Sequence, residues 1–487
     1  MDHTAVYEME NYKAARPMSF TNWVSTDLLD HPYEPFIEED MVSVNPNHII
    51  PINKNIDYFA SYHVYPYYPD FLNFDPKYTR HIDQDGKKNN YAGYIKDLIS
   101  AHDMPVLIAE FGIPSSRGLT HENVEGWNQG FIEEEEQGEI VSTLYRSIIQ
   151  EGYLGGLIFA WQDEWFKRTW NTMDLDNPDR RPYWSNAQTN EQHFGLLSFD
   201  RLKIHVDGNL KDWKKSDDKV QYKVDRKIST DFKEIQIDHD ERYLYFSIEL
   251  KQPMEIEDEV IILLNTHPNQ GNTTHSGISL ETEEGMEYLI RIGEEETSRI
   301  LVDSYYNIHQ YLYAHKLEMQ PKKSSDGIEN SGLYEEIRLA LNKELVIPAT
   351  KETVPFSDYE TGKLRQGISD PSSPVYDSLS DYYINYEKGI IEVRIPWLLL
   401  GFTDPSTKEI IGDVYEDDLQ SRINIDEISF LAISMKNGTY STSAITQKGT
   451  VKKEELHTYT WNEWTQPEVK ERLKKSYPIL QKLFSDY

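Results

Sequence analysis

Cysteine is absent from the 487 residues, which removes both disulfide frameworks and thiolate metal sites. Basic residues are scarce: 49 Lys and Arg stand against 83 Asp and Glu, a formal charge of −34. Such a surface repels nucleic acid and anionic membranes over most approaches, so no nucleic-acid partner is expected and neutral or cationic partners are favoured. No apolar run approaches membrane-spanning length, and Met1 to Glu8 has no basic segment followed by an apolar one. As it stands the chain reads as cytoplasmic, and as extracellular if it is part of a longer exported protein. Phosphate-cradling Gly loops, the zinc pattern His-Glu-x-x-His, the Gly-x-Ser-x-Gly elbow and internal repeats are also missing.

What is present is aromatic. Aromatic residues make up 12% of the chain, with 33 Tyr and 10 Trp, and hydrophobic residues 38%. A chain of this length and composition folds, with two or three domains as the expectation. Tyr and Trp beside abundant carboxylates suit neutral sugars, whose faces stack on rings while their hydroxyls bond to acids. The same acidity also serves solubility alone.

Residues 1–200 alternate apolar strand-like runs with helical patterns, which predicts a parallel α/β domain. The runs are RPMSFTNW at 16–23, 58–65, PVLIAEFG at 105–112 and GGLIFAW at 155–161. Helices are predicted over 91–102 and 133–152, the second opening on the acidic residues Glu133 to Glu136. From 201 to 487 the pattern changes to short alternating strands, at 203–213, 235–238, 243–250, 259–265 and 390–396, separated by polar turns. An antiparallel β-sandwich follows from that pattern. Residues 320–380 are expected to hold a helix and long loops, and 467–484 an amphipathic helix packed on the sandwich.

Four strand ends in the first domain carry polar or aromatic groups: Asn22 and Trp23, His63 and Tyr65, Glu110, and Trp161 with Gln162. Retaining glycoside hydrolysis needs a nucleophilic carboxylate, a second carboxyl about 5 Å away and a flat floor for the sugar. Glu110, an unidentified partner and Trp161 fit those parts, with Tyr65 or His63 orienting the nucleophile. A lone Glu at a strand end is otherwise structural, bonded to an amide or an Arg.

In order and spacing, RPMSFTNW, DYFASYHVYPYYPDF, PVLIAEFG and GGLIFAWQDEW resemble the second half of the (β/α)8 barrel of retaining glycoside hydrolases of the β-galactosidase and β-glucuronidase type. The resemblance implies a partial TIM-type barrel, strands five to eight, with Glu110 as nucleophile and Trp161 lining the sugar subsite. It also implies that Asn22, Trp23, His63 and Tyr65 border that subsite. The clan's acid/base is a Glu after Asn on the fourth strand, and the chain begins too close to its Arg-Pro strand to contain it. Glu8 and Glu10 read as the end of a preceding helix. Open sheet edges would then favour a second chain completing the barrel, or a homo-oligomer.

The second region has a resemblance of its own. IHVDGNLKDW at 204–213, the turn at 238–245 and VRIPW at 393–397 resemble family-nine carbohydrate-binding modules and DOMON sandwiches. This implies sugar binding between aromatic rings, with Trp461 and Trp464 as platforms and Trp213 and Trp397 as core residues. It also implies a structural calcium near Asp207, Asp238 and Asp240, although Asp at β-turns is commonly a turn former. No other cofactor is expected. The alternative functions are a non-catalytic carbohydrate-binding or surface-interaction protein, and a sandwich that binds haem.

Overall fold

A computed structural model of the chain describes residues 1–52, 57–217, 219–224 and 230–487. Near the start, Thr21–Trp23 (β1), Ala60–His63 (β2), Val106–Phe111 (β3) and Gly156–Ile158 (β4) form one parallel sheet in the order β1-β2-β3-β4. Helix α1, Asp2–Tyr12, precedes it, and Glu8 in α1 accepts the Arg16 amide at 2.9 Å, a structural role. Helix α2, Asn90–Ser100, starts where the Asn89 side chain accepts the Ala92 amide at 2.8 Å, an N-cap. It buries Tyr91, Tyr94, Ile95 and Leu98 with Tyr62, Ile108 and Phe111 of the sheet and with Val141, Leu144 and Ile148 of α3, Glu134–Gln150.

This sheet overturns the expected partial barrel. Among the described residues no α-helix joins β1 to β2, none follows β4 before residue 211, and most strands of the chain lie in antiparallel sheets. An apolar run specifies a buried strand but carries no information on the strand number and stagger that closure requires.

The C-terminal helix is α4, Ser476–Ser485, about half the expected span, and it lies on α3 rather than on a sandwich. Gly138 permits the contact, because a Cβ there would stand 2.9 Å from the Ser476 Cα. Residues before it stay extended: Arg472–Leu473 pairs with Leu197–Ser198. The Lys474 ammonium is drawn inside, donating to Asp163 at 2.8 Å, Ser115 at 3.1 Å and the His193 carbonyl at 3.0 Å. A helix through 474 would forfeit those bonds and leave Asp163 buried without its cation.

Later strands include Val220–Lys223 (β5), Phe232–His239 (β6), Tyr243–Leu250 (β7), Glu259–Asn265 (β8), Tyr288–Ile292 (β9), Arg299–Asp303 (β10), Tyr334–Glu336 (β11), Tyr382–Asn385 (β12), Ile390–Pro396 (β13), Ile428–Lys436 (β14) and Thr439–Thr442 (β15). One antiparallel sheet runs β12-β13-β7-β6-β5 and a larger one β11-β10-β9-β8-β14-β15. Phe246, Ile248, Val393 and Ile395 of the first share one core with Val260, Ile262, Ile290 and Phe430 of the second. Each such side chain, fully buried, contributes roughly 1.5–3 kcal/mol.

Residues 203–210 do not form the expected strand. Their backbone turns instead onto the buried carboxylate of Glu392, which accepts the amides of Asp207, Gly208 and Asn209 at 3.1, 2.6 and 3.2 Å and the Trp213 indole at 2.7 Å. Between 320 and 380 there is no α-helix among the described residues, only short strands such as Arg338–Asn342 paired with Ser357–Glu360.

Candidate functional site

Register builds the site. Trp23 lies opposite His63 across β1 and β2, and His63 lies opposite Glu110 across β2 and β3. The strand ends therefore deliver three side chains to one edge of the sheet. Tyr65 follows β2 and donates its hydroxyl to Glu110 Oε2 at 2.9 Å, while His63 Nδ1 stands 3.0 Å from the same oxygen. Burial lowers the His63 pKa from its ordinary value against the opposing charge of Glu110. Burial, then Glu110, raises the Tyr65 phenol, keeping it a donor. Glu110, with its side chain 30% exposed, is thus held by the Tyr65 hydroxyl, has the His63 ring beside it and is still reachable.

It opens on a cavity of about 260 Å³. Trp23, Tyr65, Tyr67, Tyr68 and Phe159 form its aromatic wall, and the Tyr67 ring lies parallel to His121 with centroids 6.3 Å apart. Burial pushes His121 down to about 4, so that ring is neutral. The same cavity contains a second carboxylate, Glu191. Glu191 accepts from the Gln129 amide at 2.6 Å and has the Lys167 ammonium 3.7 Å away. Burial pushes its pKa above the usual carboxylate range, with Lys167 and Gln129 pulling it back. Both carboxylates act electrostatically on Tyr65 and Tyr67, which places them around the same rings.

Glu191 and Lys167 sit on two loops pinned together. The Glu164 amide donates to the Gln192 carbonyl at 3.0 Å, and the Gln192 side chain to the Lys167 carbonyl at 3.2 Å. Neither loop carries a motif, and only the tertiary path brings them to Glu110. Phe159 had a weak signal, being one of the aromatic residues of the β4 run.

Other expected site residues lie elsewhere. Asn22 is buried and braces a loop through the Thr26 and Val44 carbonyls, at 3.1 and 3.2 Å. Trp161 is 56% exposed and borders a separate groove of about 650 Å³ with Leu157, Tyr477 and Phe484. The segment carrying it pairs with 194–197, Leu197 donating to its carbonyl at 2.9 Å, which leaves Phe159 facing the cavity instead. Trp461 belongs to the sandwich core, its indole donating to the Pro405 carbonyl at 2.8 Å, and the Trp464 indole donates to Tyr183 at 2.7 Å.

The three calcium candidates are spread over different bonds. Asp238 accepts Lys203 Nζ at 2.7 Å, and Asp240 accepts the Arg242 and Tyr243 amides, each at 2.9 Å, and the Tyr245 hydroxyl at 2.6 Å. Asp207 accepts the Asn209 amide at 2.8 Å, as a turn former does. Among the described residues no three His, Asp or Glu side chains converge as a metal-binding group. No protein-family profile matches the chain, and no curated protein matches it.

Proposed function

We propose that the Glu110 cavity binds one sugar ring of a carbohydrate and cleaves its glycosidic bond, with Glu110 as nucleophile and Glu191 as acid and base. The observation that carries this reading is the pair of carboxylates on one aromatic-walled cavity, one bonded by Tyr65 beside His63, the other buried and raised. Two carboxyls in contrasting environments supply the two roles glycoside hydrolysis needs. A Glu110 oxygen bonds to the anomeric carbon as the bond to the leaving oxygen breaks, and Glu191 gives its proton to that oxygen. Glu191, now ionised, takes a proton from water as the water oxygen attacks the anomeric carbon and releases Glu110. The aromatic wall supplies the stacking surface for the ring.

A second reading is carbohydrate binding without turnover. Lys167 favours it, because an ammonium 3.7 Å from Glu191 stabilises the ionised form that cannot act as an acid.

Aryl glycosides separate the two. Under the first reading Glu191→Gln lowers kcat/KM for 4-nitrophenyl glycosides by about 10²-fold or more and spares the first step with 2,4-dinitrophenyl glycosides, whose leaving group needs no proton. Saturable sugar binding with no turnover of either class by the native chain establishes the second reading. An equal loss on both leaving groups removes Glu191 as the acid.

A further inference from the structure

On the larger sandwich sheet two acids are buried without a counter-charge. Glu287, just before β9, and Asp303, ending β10, are 0% and 1% exposed, and the Asp303 amide donates to the Glu287 carbonyl at 2.7 Å. Glu287 Oε2 accepts the amides of Thr266 and His267 at 2.6 and 3.1 Å, and its Oε1 has no partner. Asp303 Oδ1 accepts the Asn272 side chain at 3.0 Å and the Tyr305 amide at 3.3 Å, and its Oδ2 has none. Burying a carboxylate oxygen with neither hydrogen bond nor cation is expensive.

Asp303 faces a cavity of about 540 Å³. Two further unpartnered atoms belong to residues that line it, Gln270 Oε1 and His267 Nε2. His267 Nδ1 lies 2.9 Å from the Pro268 carbonyl and must be the protonated nitrogen, so Nε2 is an acceptor too. Gly271 also lines the cavity, and a Cβ there would stand 2.6 Å from the buried Glu287 Oε1, so the position needs a glycine. Burial raises both acids from their ordinary values, Asp303 to about 7, so each can hold a proton, while Gln270 Oε1 and His267 Nε2 are acceptors, and a donor that carries positive charge suits the site. A bare metal ion is a poor match, because no three His, Asp or Glu side chains converge among the described residues and the space far exceeds one ion. Asn269, Asn330 and Thr273 on the wall can bond hydroxyls.

We infer that this cavity binds a small hydroxylated primary amine of the amino-sugar kind, its ammonium donating to Asp303 and Gln270. An ammonium offers three donors and one positive charge, which answers both deficits at once. The site is carried by different residues from the Glu110 cavity and does not depend on the reading of that cavity.

Calorimetry on the full chain tests it with glucosamine, and with N-acetylglucosamine as the ring of similar shape that lacks the charge. The expected result is saturable glucosamine binding, no detectable binding of N-acetylglucosamine, and affinity about tenfold or more weaker in Asp303→Asn. The comparison of the two sugars needs no variant, so it stands even if Asp303→Asn fails to fold. Absence of glucosamine binding, equal binding of both sugars, unchanged affinity in a folded Asp303→Asn chain, or calcium binding that Asp303→Asn abolishes while glucosamine fails to bind, each overturns the inference.

Discussion

Glu110→Gln is expected to lower kcat/KM on any aryl glycoside the chain cleaves by about 10⁴-fold or more, because the amide cannot form the covalent glycosyl bond. The fold should not register the change. Glu110 is part-exposed, and its side-chain bond comes from Tyr65, with the His63 ring beside it. With its carbonyl in the place of Oε2, the Gln still accepts from Tyr65. Loss of one net hydrogen bond amounts to about 1 kcal/mol, so the melting curve should be nearly superimposable on that of the native chain. A variant that loses activity and melts much earlier would mean that Glu110 is a structural acid.

Arg117→Ala is expected to destabilise the whole chain by about 3–5 kcal/mol, measured by denaturant unfolding. Arg117 lies beyond β3, and its guanidinium reaches into the sandwich region. It donates to Asp381 through Nε at 2.8 Å and through a terminal nitrogen at 3.2 Å, and to the carbonyls of Thr361 and Lys363 at 2.6 and 3.0 Å. Both side chains are at most 5% exposed. Truncation removes the guanidinium bonded to both oxygens of buried Asp381 and leaves it the Arg365 amide at 3.0 Å. The pair itself carries much less net stability than its rupture costs, so Arg117→Met with Asp381→Leu should lose less than Arg117→Ala alone. Arg117→Lys should not rescue, since an ammonium cannot span the same four acceptors. A loss below about 1 kcal/mol in Arg117→Ala would show that water reaches this contact.

Legibility in the sequence followed how local each constraint was. Glu110, His63 and Trp23 could be read from strand ends, because residues at the ends of adjacent parallel strands meet in register. The Asn22 amide bonds to loop carbonyls within its reach, a use that no strand pattern announces. Trp161 lost its expected place to Phe159 when its own backbone paired with 194–197. Glu191 could not be read at all, since it depends on two loops meeting far from any periodic segment.

The same distinction holds for the fold. Helices α2 and α3 and strands such as Tyr243–Leu250 and Glu259–Asn265 follow local periodicity. The barrel expectation failed because closure is a property of strand count and stagger, and the structure has only a small parallel sheet beside larger antiparallel ones. The helix expected over 467–484 was halved by one buried ammonium, Lys474, whose partners Asp163, Ser115 and His193 lie hundreds of residues earlier. The run at 203–213 looked like a strand and proved to be a loop over 203–210 entering the short helix Lys211–Lys215, held by Glu392, a residue nearly two hundred positions away.

The central claim is that Glu110 is a nucleophile in a sugar-binding cavity. Incubation of the intact chain with a panel of 2-deoxy-2-fluoroglycosyl fluorides, followed by proteolysis and mass spectrometry, tests it most directly. The account predicts a single fluoroglycosyl adduct on the peptide containing Glu110, absent from Glu110→Gln. An adduct on another residue, or none with any sugar of the panel while the chain still hydrolyses the matching aryl glycoside, would contradict it.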